Sequence, residues 1–173
     1  AMFHGRLDAE KGLDVLIEAM SKLQDIDLRL ILIGTGHDDY VAALKQHIAC
    51  CGLTDRVSFA GFRNPVLPCL GSCDFGLLPS IVREGYPLSP MEYMSQGRCV
   101  IATDNGGQKE YLTSGDNALL VKPGDADMLA DAIRRLATDK ALRDKLSTKA
   151  YADFSQKMSY NKFIERIEEA YEH

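Results

Sequence analysis

Apolar residues along this chain fall into two alternating patterns. Leu28 to Ile33, Val57 to Ala60, Asp74 to Leu78, Cys99 to Thr103 and Ala118 to Val121 are short, largely apolar runs, and Met2 to His4 is a briefer piece of the same kind. Between them apolar residues recur at helical spacing. Leu13, Leu16, Ile17, Met20 and Leu23 form one such stripe, and Val41, Leu44 and Ile48 a second, stopped by Gly52. Leu129, Ile133 and Leu136 mark a helix capped by Asp125. A short helix is expected over Pro65 to Cys73, another from Ser89 to Gly97, and two more around Leu142 to Phe154 and Tyr160 to Tyr171. Solid apolar strands alternating with helices predict a parallel sheet covered on both faces. The expected class is therefore α/β, a Rossmann-like doubly wound parallel sheet. No repeat, low-complexity tract or linker interrupts it, so residues 1–173 read as one domain.

Sheets of this kind bind ligands at the carboxyl ends of their strands. The polar and glycine-rich segments fall there. Arg6 and Lys11 follow the first strand, Thr35 and Gly36 the second, Arg63 the third, Glu84 the fourth and Gly106-Gly107 the fifth. The densest stretch runs from Ser80 to Glu110. Within it, Ser89-Pro90-Met91-Glu92 reads as a helix start, with Ser89 as N-cap, Pro90 first and Glu92 third in the helix. Glu84, beside Gly85 and Pro87, belongs to the loop before it. The two carboxylates thus project from different elements, as if to hold two parts of one ligand, and that layout suggests a nucleotide-sugar site. The same residues also fit a plain capping box, with Ser89 and Glu92 bonding each other's amides and Glu84 solvated. Arg6 and Lys11 also fit two exposed bases flanking a helix start. A helix N-terminus prefers anions, however, so two bases there hint at a bound one. Gly34 and Gly36 allow unusual dihedrals or close backbone approach.

Bulk properties narrow the classes. A chain 46% hydrophobic and 26% charged is ordinary for a soluble globular domain. A net charge of −5 without a basic run argues against nucleic acid as a partner. No apolar stretch approaches the roughly 18 residues of a membrane span, and no signal peptide is visible. Five cysteines, an odd count with one vicinal pair, make a poor disulfide framework. Cys69 and Cys73 lack a second pair to complete a zinc site. The cysteines read as reduced thiols of a cytoplasmic protein. His4, His37, His47 and His173 show no metal spacing; His4 borders the expected cleft but reads as core or rim packing.

Four segments together resemble one family. Gly5-Arg6-Leu7-Asp8-Ala9-Glu10-Lys11-Gly12 is similar to the G-R-x(4)-K-G opening of the C-terminal domain of family-4 glycosyltransferases. Ile33-Gly34-Thr35-Gly36 resembles their G-x-G turn. Glu84-Gly85-Tyr86-Pro87-Leu88-Ser89-Pro90-Met91-Glu92 resembles their E-x(7)-E signature. Val100 to Gly107, with Glu110, resembles the V-I-A-T-x-x-G-G-x-x-E that follows. Order and spacing hold from Gly5 to the Asp125 helix. Departures are mild: Tyr93 stands where the family usually has Ala, and Arg98-Cys99 where a Pro is common.

The resemblance implies the donor-binding half of a GT-B enzyme, with the N-terminal, acceptor-binding domain absent from this chain. It implies that Arg6 and Lys11 hold the diphosphate, which is both anchor and leaving group. It implies that Glu92 accepts from the ribose hydroxyls and that Glu84 lies near the donor sugar, with Gly85, Tyr86, Pro87, Leu88 and Ser89 offering backbone amides. It further places Gly36 at the phosphate turn and Arg63 near the base. The implied donor is a UDP-, GDP- or ADP-sugar of hexose type, used with retention and without a metal or cofactor. The implied acceptor is a sugar, a lipid-linked sugar or a polysaccharide chain, reached through the other domain, so that the full-length protein is cytoplasmic or peripheral at the inner membrane face. This chain alone would be inactive. Competing readings are half of a GT-B sugar-nucleotide epimerase, which would lack the E-x(7)-E loop, and a non-catalytic doubly wound binding module such as a receiver. A receiver would need an acidic cluster where Gly5-Arg6 stands.

Overall fold

The structure, a computed structural model, describes residues 1–159 and, beyond them, residues 162, 164, 167, 168 and 171. Six strands pair in parallel throughout: β1 (Met2–His4), β2 (Leu30–Ile33), β3 (Val57–Gly61), β4 (Gly76–Leu78), β5 (Val100–Thr103) and β6 (Ala118–Val121). Their spatial order is β3-β2-β1-β4-β5-β6. The chain winds outward from β1 to β3, then crosses back to β4 on the other side of β1. The topological switch therefore lies between β1 and β4, where a parallel sheet opens a crevice. The expected doubly wound sheet is the one observed.

Alternate residues of the strands feed two cores. Phe3, Leu30, Leu32, Leu77, Ile101 and Leu119 face one way. They pack under α1 (Leu13–Ser21), α2 (Asp38–Cys50) and α5 (Ala126–Thr138). Met2, Leu78, Val100, Ala102 and Ala118 face the other way. They pack under the short α3 (Leu67–Leu70), α4 (Ser89–Ser95) and the later turns of α6 (Lys140–Lys157). Every residue of β1, β4 and β5 is buried, which explains why these strands read as solid apolar runs rather than alternating ones.

Most expected boundaries hold within two or three residues. Strand β2 starts at Leu30, because Leu28 is turned aside: its amide bonds Ile26 and its carbonyl accepts from the Arg56 guanidinium. Strand β4 starts at Gly76 rather than Asp74, and only Leu67–Leu70 of the Pro65 to Cys73 segment is helical. Asp125 caps α5 as expected, its carboxylate accepting from the Met128 amide at 2.8 Å. The helix expected around Tyr160 to Tyr171 falls largely outside the described residues.

Tyr93 in α4 is fully buried, and its hydroxyl donates to the Met2 carbonyl at 2.8 Å. Its ring lies over Gly76 of β4, where a Cβ would stand 2.4 Å from a ring carbon. The large side chain at 93 fits because the strand beneath it carries none. Gly76→Ala should therefore destabilise the domain by about 1–3 kcal/mol, the usual cost of overpacking. Thermal melting should show a fall of several degrees; an unchanged melting temperature would mean that the ring moves aside freely.

Candidate functional site

Two adjoining depressions open along the carboxyl edge of the sheet, and they share His4, Gly5 and Arg6. The first, of 320 Å³, lies over the ends of β1, β2 and β3 and is lined also by Ile33, Gly34, Thr35, Phe62, Arg63 and Val66. The second, of 420 Å³, straddles the β1/β4 switch; Lys11, Glu84, Pro87, Leu88, Ser89 and Glu92 contribute to its wall. One lobe is mostly apolar with an aromatic at its rim. The other is ringed by charge.

The walls are loops that touch backbone to backbone. A Cβ on Gly34 would lie 1.9 Å from the Gly5 carbonyl oxygen, and one on Gly36 would lie 1.9 Å from that of Leu7. The β2 loop can therefore lie on the β1 loop only without side chains there, and the Leu7 amide bonds the Thr35 carbonyl across the contact at 2.8 Å. The same holds on the other side. A Cβ on Gly107 would come within 1.7 Å of the Gly85 carbonyl oxygen, and the Gly107 amide donates to the Glu84 carbonyl at 3.0 Å. Gly106-Gly107, expected to bring backbone near a ligand, instead brings it against the Glu84 loop.

Lys11 ends a 3-10 turn (Ala9–Lys11) capped by Asp8, whose carboxylate accepts from the Lys11 amide at 3.2 Å. Its ammonium reaches across the switch to Glu84 Oε1 at 2.7 Å, and both side chains are mostly covered, with 20% and 16% exposed. Ser80 Oγ donates to the same oxygen at 2.5 Å. The Ser80 carbonyl accepts from Thr103 and Asn105, and Gln108, fully buried, donates to the Thr103 carbonyl and to Asn105. Burial opposes the charge on Glu84, but hydrogen bonds from Lys11 and Ser80 outweigh it and hold the carboxyl below its ordinary range. Arg6 is different. Its side chain is 70% exposed and leans on Asp8 at 2.9 Å and Glu10 at 3.7 Å.

The capping box is not formed. Leu88, not Ser89, is the N-cap of α4 and already has helical dihedrals, so Ser89 is the first helical residue, Pro90 the second and Glu92 the fourth. The Glu92 amide bonds the Leu88 carbonyl at 3.0 Å within the helix. The Glu92 carboxylate turns away from Ser89 to the ring of His4, with Oε2 2.6 Å from Nε2. That long-range bond removes the partner the cap would have used.

The structure thus brings Arg6, Lys11, Glu84, Pro87, Leu88, Ser89 and Glu92 around one lobe and Arg63 beside the other. Gly36, Gly85 and Tyr86 line neither. Tyr86 is half exposed and packs edge-on to Tyr111 with centroids 5.3 Å apart, and the Tyr111 hydroxyl donates to the Pro87 carbonyl at 2.5 Å. These two residues brace the loop from behind. Sequence reasoning passed over Phe62, 69% exposed at the apolar lobe, although an aromatic beside Arg63 in a loop after a strand was a visible signal. It also missed the partnership of His4 with Glu92, for which no local signal exists.

A doubly wound parallel domain with a two-lobed cleft at its switch point, cations and carboxylates around the inner lobe, is one half of a GT-B architecture. Residues 1–153 match the family described as glycosyl transferases group 1, and the chain belongs to that family. It is 31% identical over 152 residues to a lipopolysaccharide core biosynthesis glycosyltransferase, LpsE, of Rhizobium meliloti, an alignment covering 87% of this chain and 43% of that protein. Among solved structures it is similar to HepE of Anabaena in complex with UDP, with a TM-score of 0.93 and 30% identity over 99% of this chain and 48% of that one. It is also similar to the C-terminal domain of a group 1 glycosyl transferase, LpcC, from Francisella tularensis, with a TM-score of 0.83, 26% identity, and 92% and 86% coverage. The chain spans less than half the length of LpsE and HepE. Among the described residues no helix is long and apolar enough to cross a membrane, and no group of three or more His, Cys, Asp or Glu could hold a metal ion.

The Lys11–Glu84 pair carries a pH signature. Its stabilising effect should be complete above the ordinary glutamate pKa of about 4.3 and should fade as pH falls through the lowered folded value. In a carboxyl carbon-13 titration, Glu84 should move up in Lys11→Met. An unmoved midpoint would show that Lys11 does not set it.

Proposed function

We propose that this domain binds the donor of a glycosyltransferase that moves a hexose-type sugar from a nucleoside diphosphate to an acceptor hydroxyl. The observation that carries this reading is the pair of lobes joined at His4-Gly5-Arg6, one apolar and one charged, over the β1/β4 switch. A nucleotide sugar has the matching shape and polarity. Its base would enter the lobe of Ile33, Thr35, Phe62, Arg63 and Val66. Its ribose would meet Glu92 near the seam, its diphosphate would lie over Arg6 and Lys11 beside Leu88 and Ser89, and its sugar would meet Glu84. The UDP complex of HepE, so similar in fold, favours UDP over GDP and ADP as the nucleotide.

In the transfer the bond from the anomeric carbon to the diphosphate oxygen breaks and a bond to the acceptor oxygen forms. Negative charge then grows on the departing nucleoside diphosphate. Lys11, held in place, and Arg6, free to turn toward it, are the cations that would stabilise it, which makes a metal unnecessary in this reading. Lys11 is held by Glu84 before any ligand arrives, so the diphosphate competes with Glu84 for one ammonium. Glu84 in turn would face the sugar ring with its charge intact. The configuration at the anomeric carbon would be retained. The acceptor, a sugar or a lipid-linked sugar, would be brought by a second domain.

Calorimetry with UDP, GDP and ADP tests the reading on this chain directly. UDP should bind, and the chain alone should transfer no sugar. No heat with any of the three at millimolar concentration would refute it. Arg6→Ala and Lys11→Ala should weaken UDP binding by about tenfold to a hundredfold while leaving uridine binding nearly unchanged. Equal losses for both would make the cations structural.

Glu84→Gln should bind UDP at least as tightly as the parent does, since it frees Lys11 for the diphosphate, and Glu92→Gln should bind it about tenfold or more weakly, since only Glu92 would touch the nucleoside. The opposite order would exchange the two roles.

A further inference from the structure

His4 occupies the seam where the two lobes meet, at the end of β1. It is a polar ring in a core position, only 9% exposed. Two contacts fix it. Its Nε2 lies 2.6 Å from Glu92 Oε2. Its ring meets Tyr93 edge-on, with centroids 5.0 Å apart and planes at 70°. Tyr93 is itself immobilised by its bond to Met2 and by Gly76 beneath its ring. A carboxylate only accepts, so Nε2 carries the hydrogen of this bond. The ring's other nitrogen, Nδ1, is buried and has no partner among the described residues.

This arrangement leaves Glu92 half used. Oε2 is held by His4, while Oε1 accepts no hydrogen bond among the described residues, and the side chain stays 36% exposed on the wall of the charged lobe. A glutamate at the start of a helix has several rotamers, and ordering it costs entropy on ligand binding. The bond to a buried, packed imidazole settles that rotamer beforehand. Nδ1 is closed off from solvent, so the ring presents only Nε2, and through it Glu92, to the lobe. If the pair served packing alone, an apolar residue at position 4 would suit the core better than a polar ring with one orphaned nitrogen.

We propose that His4 is a positioning residue that pre-orders the Glu92 carboxylate to read ribose hydroxyls, making the domain selective for ribonucleoside diphosphates over their deoxy counterparts. The proposal rests on the reading that Glu92 meets the ribose, and it adds the residue that aims it. His4 acts through Glu92, so its loss should erode discrimination at the sugar of the nucleoside and leave phosphate binding alone.

The test compares UDP with 2′,3′-dideoxyuridine diphosphate by calorimetry. The parent chain should prefer UDP by about tenfold or more, as expected for a charge-assisted hydrogen bond. His4→Phe keeps a ring against Tyr93 and removes the donor; it should lose most of that preference. His4→Gln, whose amide can still reach Glu92, should recover part of it. Glu92→Gln should lose the preference outright, and the double variant His4→Phe/Glu92→Gln should lose no more, since both act on one contact. Pyrophosphate affinity should stay constant across the set. If Glu92→Gln loses the preference while His4→Phe keeps it, the carboxylate orders itself and the role of His4 is refuted, while the ribose reading of Glu92 stands. If Glu92→Gln keeps the preference, or the parent shows none, the ribose reading falls and this inference with it. Should His4→Phe fail to fold, His4→Leu and His4→Gln carry the same comparison, and an undiminished preference in His4→Leu would be equally fatal.

Discussion

Contact between bare backbones at the carboxyl edge is the constraint on which this domain depends. Parallel strands end side by side, about 4.8 Å apart, so the loops that leave them must stack closely or splay outward. Here they stack. Gly34 and Gly36 lie on the carbonyls of Gly5 and Leu7, Gly12 lies on that of Pro79, and Gly106 and Gly107 lie on those of Glu84 and Gly85. The β2 loop thus rests on the β1 loop, the β1 loop on the β4 loop, and the β5 loop on the β4 loop from the far side. Lys11 and Glu84 are carried on these stacked segments, and the backbones that bear them are held as firmly as the sheet itself. A loop that merely hung from its strand could not hold an ammonium 2.7 Å from a carboxylate across a crossover.

Within that frame the charged lobe is poised rather than empty. Lys11 and Glu84 neutralise each other, while a relay from Gln108 through Thr103 and Asn105 to Ser80 holds the loop that bears the carboxylate. Arg6, by contrast, is solvated and loosely tied to Asp8 and Glu10. The two cations therefore differ in kind: one is preset and shared, the other free to swing onto an arriving anion. In the proposed reading a diphosphate would meet a site where an ammonium and a carboxylate already offset one another, and its own charge would tip the balance toward the cations.

The sequence was most legible where one short-range rule governed. Solid apolar runs marked the central strands β1, β4 and β5 because every residue in them is buried, and Asp125 marked a cap because capping is local. The loops bearing Arg6, Lys11, Glu84 and Glu92 were legible because a parallel sheet gathers strand ends on one edge. Legibility failed where a distant partner outbid a local one. Ser89-Pro90-Met91-Glu92 has every mark of a capping box, yet Glu92 is taken by a histidine 88 residues away. The glycines at 106 and 107 looked like room for a ligand and proved to be room for another loop. Neither outcome has a signature within a window of ten residues, since each depends on which strand lies beside which.

Gly76 and Tyr93 bear on how such a site could be transplanted. The signature segment from Glu84 to Glu92 looks portable, being short and continuous. Yet Tyr93, one residue beyond it, needs a vacant strand position beneath its ring and supports the histidine that meets Glu92. A chimera that imported the loop alone would place it over a foreign strand and beside a foreign residue at position 4. The portable unit is thus discontinuous, a set of positions on β1, β4 and α4 that must be moved together.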